Sequence, residues 1–493
     1  MYLLGLDLGS SSVKACLVDA DANTAVASAF FPGTELAIDA PQPGFAEQQP
    51  DLWWHNAVLA IRSVLATSGV KAIDIRAIGI SYQMHGLVVT DARLNVLRPA
   101  IIWCDSRAVP YGQRALDGLG HDRVLRHLLN SPGNFTAAKL AWVKENQPDV
   151  YANVAHFMLP GDYLAARFTG EVVTTASGLS EGILWDFLDN RPADFLMQYY
   201  GFDASLMPPL RPTFGQQGRL TAVAAAELGL AEGTPVTYRA GDQPNNALSL
   251  NVLEPGEIAT TAGTSGVVYG VSDRAQYEPL SRVNTFLHVN HTPEKPRYGV
   301  LMCVNGTGSL NSWLRNTLFQ GTFSYAAMNE LAQKAPVGAD GLVCLPFGNG
   351  AERILKNRDM GAMFQGLNLT RHGLPQVLRA AQEGIVFALY YGIRIMEQVG
   401  VGLKTVRAGE ANMFLSPLFG QTFANLTGAA VELYNTDGAQ GAARGAGLGL
   451  GYYANRDEAF SGLRVVRTLD PDARAQQACQ DAYAHWLAVL EKQ

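Results

Sequence analysis

The sequence predicts an α/β protein built from two similar domains. Three observations carry that prediction. The chain has 493 residues, more than one hydrophobic core normally accommodates. Its composition, 48% hydrophobic with 16% charged, is that of a well-packed globular protein. A hairpin pattern also occurs once in each half of the sequence.

The first copy opens the chain. Leu3-Leu4-Gly5-Leu6-Asp7-Leu8-Gly9 is an apolar run ending in Asp-x-Gly, and Ser10-Ser11-Ser12 leads into a second run, Val13-Lys14-Ala15-Cys16-Leu17-Val18. Two strands joined by a tight turn fit this pattern, with Gly9 free to take positive φ. Backbone N–H groups in such a turn, with three hydroxyls and Lys14 beside them, make a phosphate cradle. Asp7 at its mouth is placed to hold Mg²⁺. An ordinary Gly-Ser hairpin is the plain alternative. The second copy, Gly263-Thr264-Ser265-Gly266-Val267, again follows an apolar run and closes on an Asp (Asp19 in the first, Asp273 in the second). The pair indicates a duplication at domain scale, with both halves facing a shared phosphate.

Between the hairpins the chain alternates helix and strand signals. A Pro- and Gln-containing loop over residues 41–50 precedes a helix in which Trp54, Val58, Ile61 and Leu65 recur at helical spacing and Asp51 is a candidate cap. Trp53 and Trp54 read as core anchors before a ligand platform. Residues 73–81 read as a strand that stops at Tyr82-Gln83-Met84-His85-Gly86, the kind of polar strand end where α/β proteins place ligand contacts. Residues 100–107 read as a buried strand ending in Asp105 and Arg107, which either pair with each other or orient a hydroxyl. A helix is expected over residues 135–143. Residues 236–247 suggest a strand reaching Gly241-Asp242-Gln243, with a turn Asp as the bland reading.

In the second half, residues 304–310 open a helix through Trp313, residues 345–353 form a loop, and 374–399 form a long helix with Val377, Leu378, Ala381, Ile385, Leu389 and Ile393 on one face. Residues 405–412 suggest a strand, a Gly turn and a helix start, a setting for part of a nucleotide. Residues 438–447 form a small-residue helix suited to close packing.

Several function classes are excluded. A net charge of −7 argues against nucleic acid as a partner. The five cysteines are scattered without a CxxC pair, as expected of free thiols in a reducing compartment. With neither a leader pattern nor a spanning apolar run, the expectation is a soluble cytoplasmic protein that does not engage a membrane.

The ordered set Asp-x-Gly-Ser-Ser from Asp7, Gln83-Met84-His85-Gly86, Trp103-x-Asp105-x-Arg107, Gly241-Asp242, Gly263-Thr264-Ser265-Gly266 and a late Gly-rich segment resembles the FGGY carbohydrate kinases over nearly the whole chain. Within that family, Met84-His85-Gly86, the Trp103 to Arg107 motif and Glu47-Gln48-x-Pro50 before the tandem Trp are most similar to xylulokinases. The resemblance implies two ribonuclease H-like domains of the actin and hexokinase type with an interdomain cleft. Residues 1–248 would carry the sugar site and catalytic base, and residues 249–493 the ATP site. It implies Asp242 as general base, and Asp7 with Asp242 as holders of Mg²⁺. Gln83, Met84, His85, Trp103, Asp105, Asp242 and Gln243 would line the sugar pocket. Ser10, Ser11, Ser12, Lys14, Gly263, Thr264 and Gly308 would meet the ATP phosphates, with Gly409 and Asn412 near the adenosine. The implied reaction is phosphoryl transfer from ATP to D-xylulose, giving D-xylulose 5-phosphate. Gluconate, glycerol or ribulose kinases, and a non-catalytic sugar- or nucleotide-binding regulator, are the rival readings. The implied assembly is a homodimer. Three departures bear on detail: Gln243 stands where xylulokinases usually have Asn, residues 408–412 replace the usual late Gly-rich segment, and residues 349–355 replace a Ser-Gly-Glu-Arg-Thr-Pro loop.

Overall fold

Leu3, Leu4, Leu6 and Leu8 are wholly buried, because the strand they form lies at the centre of a sheet. In a computed structural model describing residues 1–493, the chain divides into two compact units. The first comprises Met1–Asn251, Phe286–Arg297 and Thr436–Leu463, and the second comprises Val252–Thr285, Tyr298–Asn435 and Arg464–Gln493.

The sheet of the first unit contains β1 (Tyr2–Leu8), β2 (Val13–Asp19), β3 (Thr24–Phe31), β4 (Ile75–Tyr82) and β5 (Val236–Gly241) in the order β5-β4-β1-β2-β3. The β1/β2 and β2/β3 pairs are antiparallel; β1/β4 and β4/β5 are parallel. A seven-stranded sheet contains β6 (Glu257–Ala262), β7 (Gly266–Ser272), β8 (Asn284–Leu287), β9 (Tyr298–Val304), β10 (Thr405–Gly409), β11 (Val431–Tyr434) and β12 (Val465–Leu469), ordered β8-β9-β7-β6-β10-β11-β12, and all of these but β8 lie wholly in the second unit. Strands β6, β7 and β9 repeat the antiparallel meander of β1, β2 and β3, and β10 and β11 repeat the parallel pair β4 and β5. The duplication read from two short turns therefore extends to five strands in each unit.

Helices cover these sheets. Trp53 and Trp54, from the helix Pro50–Ser68, are buried in the first core, as core anchors should be. Helix Leu374–Gln398 buries Leu378, Ala381, Ile385, Leu389 and Ile393 in the second.

A closer approach occurs in the first unit. Gly5 and Gly79 are register partners on β1 and β4. A Cβ on Gly5 would lie 1.8 Å from the Ala439 carbonyl oxygen, and one on Gly79 would lie 2.0 Å from that of Ala442. The two glycines form a trough that receives the backbone of the helix Gly438–Leu450, nine of whose 13 residues are glycine or alanine.

Four expectations change. The first unit is not a continuous block ending at residue 248, because helix Gly438–Leu450 packs on β1 and β4 and brings residues 436–463 with it. Asp51 does not cap its helix: Gln49 holds that position, and Asp51 accepts from Arg167 at 2.8 Å and Tyr163 at 3.0 Å. Only Ala100 and Ile101 pair as strand in the 100–107 segment. Beyond them the chain turns, with the Asp105 N–H bonded to the Ile102 carbonyl at 3.2 Å. The strand expected from residue 73 begins at Ile75, after one 3₁₀ turn at Ala72–Asp74. Cys16, Cys344 and Cys479 are buried, and Cys104 is exposed. No helix is long and apolar enough to cross a membrane.

Candidate functional site

The carboxyl-side ends of β1, β4 and β5 bring three segments of the first unit together. Asp7 and Ser81 face each other in register, and the Ser81 hydroxyl donates to Asp7 Oδ1 at 2.7 Å. On the other side of Asp7 lies Gly438, where a Cβ would sit 2.3 Å from Oδ2. Asp437, the N-cap of the Gly438–Leu450 helix, accepts from Gln440 N at 2.9 Å and pairs with Lys14 at 2.5 Å. Lys14 thus has a carboxylate partner within the unit.

Asp242 is the first residue of the helix Asp242–Ser249, directly after β5. Strand β5 ends at Gly241 and the helix follows at once, so Asp242 is not a turn residue. Burial, then the nearby charge of Asp7, pushes the Asp242 carboxyl up to about 7. Asp7 is raised as well, by burial and by Asp437, against the opposing effects of Ser81 and Lys14. A buried carboxyl whose proton affinity is raised further by a second carboxyl nearby is a common mark of a working site.

The loop after β4 carries the other polar groups. Gln83 is 1% exposed; its side-chain N–H donates to Gln48 Oε1 at 3.2 Å, while its own Oε1 is buried without a hydrogen-bond partner. Gln48 in turn donates to the Ser10 carbonyl at 2.6 Å and accepts from Trp53 at 3.1 Å. The first hairpin, the tandem Trp helix and the Gln83 loop are thereby tied together. His85 takes a left-handed φ of 63°. Its Nδ1 lies 2.9 Å from the Glu181 carbonyl oxygen and its ring meets Phe135 edge-on, with centroids 4.7 Å apart. Met84 is buried and packs toward Gly241, where a Cβ would lie 2.5 Å from Met84 Cγ.

Asp105 and Trp103 occupy different environments from these. Asp105 is 0% exposed. Its Oδ2 accepts from Ala46 N at 2.6 Å, and Arg107 Nε reaches both carboxyl oxygens at 3.0 and 2.9 Å. The ion-pair alternative is the arrangement observed, and it leaves Asp105 no free face for a ligand. Trp103 is 40% exposed.

Two buried groups beneath this loop have no motif of their own. Glu181 accepts from Tyr82 at 2.5 Å, and burial holds its carboxyl well above the usual range. Lys139 is 0% exposed and donates to the carbonyls of His85 and Ile102, both at 2.9 Å, which links the two segments carrying Met84-His85 and Trp103. Burial lowers its ammonium to about 7. A lysine on the buried face of an expected helix was the only signal for it.

In the second unit the β6–β7 turn exposes Thr264. The neighbouring turn supports it: Gly308 N donates to the Gly263 carbonyl at 2.8 Å and Ser309 N to that of Thr264 at 3.0 Å. Gly308 is needed for this approach, since a Cβ would lie 2.3 Å from the Gly263 oxygen. Gly409 ends β10, and Asn412, exposed with φ of 54°, starts the next 3₁₀ turn. A Cβ on Gly263 would lie 3.5 Å from Asn412 Nδ2, so these two sequence-selected residues are neighbours.

Comparison with known proteins bears on this site. The model of the N-terminal domain of the FGGY family of carbohydrate kinases matches residues 2–249, and that of its C-terminal domain matches residues 258–452. The chain is 29% identical to a xylulose kinase of Bacillus subtilis over 97% of its own length and 94% of that protein. A crystal structure of xylulose kinase from Rhodospirillum rubrum, 27% identical, superposes with a TM-score of 0.87 over 100% of this chain and 99% of that one. A gluconate kinase from Lactobacillus acidophilus shares the fold at 22% identity and a TM-score of 0.90, over 100% of this chain and 98% of that one.

Proposed function

The chain belongs to the FGGY family of carbohydrate kinases and is an ATP-dependent sugar kinase, and we propose that its acceptor is D-xylulose, converted to D-xylulose 5-phosphate. The observation that carries the choice of acceptor is the near full-length similarity to xylulose kinases. The loop of Gln83, Met84 and His85 at the end of β4 supports it. Buried polar groups of this kind favour an acceptor that presents hydroxyls to them.

In this reading Asp242 accepts the proton of the sugar's terminal hydroxyl as that oxygen attacks the γ-phosphorus. The carboxylate and the acceptor are oriented by a strand end and a helix start, so little rearrangement is left for the reaction itself. Gln243 follows Asp242 in the same first turn and joins Gln83, Met84 and His85 as a sugar contact. The hairpin of the first unit offers nucleotide phosphate the hydroxyls of Ser10, Ser11 and Ser12 and the ammonium of Lys14; the hairpin of the second, taken by itself, offers the turn N–H groups of Gly263 and Thr264. Gly308 acts by bracing Gly263, and Gly409 and Asn412 stand by the adenosine.

Asp7 and Asp242 are the residues that would hold Mg²⁺. The charge of Asp7 disfavours ionisation of Asp242, and both supply oxygen donors, which suits a hard divalent cation. Bound there, the ion supplies charge neutralisation to the phosphate oxygens.

The deciding experiment is coupled-assay ADP release with D-xylulose, gluconate, glycerol, ribulose and no sugar. The highest kcat/KM is expected for D-xylulose, and a higher value for any other acceptor removes this assignment.

Two further results are expected. His85→Ala should raise the sugar KM roughly three- to tenfold, the loss of one neutral hydrogen bond, with the ATP KM unchanged; the reverse pattern would take His85 out of the sugar pocket. The pH profile should follow Asp242, which must be ionised to accept a proton. kcat/KM for the sugar should fall roughly tenfold per pH unit below the carboxyl's pKa of about 7 and level off above it. Stability should run the other way. The carboxyl releases its proton near 3.8 when unfolded and near 7 when folded, so its contribution is most favourable at low pH and declines as pH rises from 3.8 to 7.

A further inference from the structure

Asn305, Gly306 and Thr307 form the turn between β9 and the helix Gly308–Trp313. Its backbone is held at both ends. At the near end, Asn305 N donates to Glu352 Oε1 at 2.9 Å and Oε2 at 3.1 Å, and Gly306 N donates to Oε1 at 3.3 Å. Glu352 is 0% exposed and comes from the loop that follows Phe347. The two loops are further joined by Asn305 Nδ2 to the Ala351 carbonyl at 3.0 Å and Asn349 Nδ2 to the Asn305 carbonyl at 3.3 Å. Gly306 is pressed so closely that a Cβ would lie 1.6 Å from the Pro346 oxygen. At the far end, Gly308 and Ser309 brace the Gly263 and Thr264 carbonyls.

A buried carboxylate is costly, and burial pushes this one up to about 7 against the opposing effect of the two backbone donors. A group kept at that cost, aimed at two N–H groups of a turn, has a structural task there.

We infer that Glu352 is a positioning residue for nucleotide binding: its carboxylate fixes the turn of Asn305 to Thr307, which in turn holds the Gly263–Thr264 hairpin open to phosphate. This rests on the reading above, in which that hairpin meets the phosphates of ATP.

The test compares Glu352→Ala and Glu352→Gln in the full-length protein by sugar and ATP kinetics and by hydrogen exchange of the Asn305 and Gly306 amides. Glu352→Ala should raise the ATP KM ~10-fold or more, as expected for loss of charge-assisted bonds, while the sugar KM stays within ~twofold. The two amides should exchange faster. Glu352→Gln should recover part of the ATP KM, because both turn amides reach Oε1 and a carboxamide oxygen there still accepts. Faster exchange with an unchanged ATP KM overturns the inference, as does an equal rise in both KM values. If the alanine variant does not fold, the glutamine variant decides, since a wild-type ATP KM with altered exchange is equally fatal. Failure of the underlying reading is separately visible: Gly263→Val would then leave the ATP KM of the otherwise wild-type enzyme untouched.

Discussion

Asp242→Asn is expected to give a folded protein that binds its substrates and turns over at least ~10³-fold more slowly, the range lost with a positioned general base. Asn keeps the size of Asp and its place in the first turn of the helix Asp242–Ser249 but has no lone pair basic enough to accept the hydroxyl proton. The variant should not be less stable. The wild-type carboxyl is raised by burial and by Asp7, so removing the charge relieves both penalties, and Tm should hold or rise at neutral pH. The sugar KM should change little. Steady-state ADP release and a thermal melt check these outcomes together. A wild-type kcat would remove Asp242 from the base role, and a large drop in Tm would assign it a structural one.

Gly79→Val is expected to destabilise the protein by about 3 kcal/mol or more, at the upper end for overpacking, because the clash is with backbone. The added Cβ would meet the Ala442 oxygen at 2.0 Å and the Ala446 Cβ at 3.2 Å. Neither is the end of a flexible side chain. Relief requires the helix Gly438–Leu450 to move off β4, and its N-terminus carries Asp437 and Gly438 against Lys14 and Asp7. Ser81, the partner of Asp7, lies two residues along the same strand. Activity at temperatures where the variant is still folded should therefore fall too, through Asp7. Urea unfolding followed by far-UV dichroism, with ADP release on the same samples, measures both. A loss below ~1 kcal/mol would show that the helix slides without cost and that the trough is not a fixed contact.

The sequence alone indicated several residues of the candidate site because the relevant information is local. Asp-x-Gly followed by hydroxyls, the strand end at Gln83-Met84-His85-Gly86, and Gly241-Asp242 each lie within a few consecutive residues, where turn chemistry and alternation are direct signals. The structure sets Asp7, Ser81 and Asp242 at neighbouring strand ends of one sheet. It also makes Gly263 a neighbour of Asn412, 149 positions away in the chain. Asp105 shows the limit. Its spacing to Arg107 allowed either an ion pair or a hydroxyl contact, and only the approach of Ala46 N together with the fold of Arg107 onto it decides for the pair.

The sequence by itself determined that this is a two-part α/β chain with a repeated hairpin, and that its carboxylates sit at strand ends, because periodicity and turn composition act over a few residues. Tertiary structure decided which segments share a core. Residues 436–463 join the first unit through two glycines whose missing side chains admit a helix backbone. It also decided which charged groups support the site. Lys139, Glu181, Asp437 and Glu352 meet partners far away in sequence, and the cost of burying an unpaired charge is set by those partners and not by neighbouring residues.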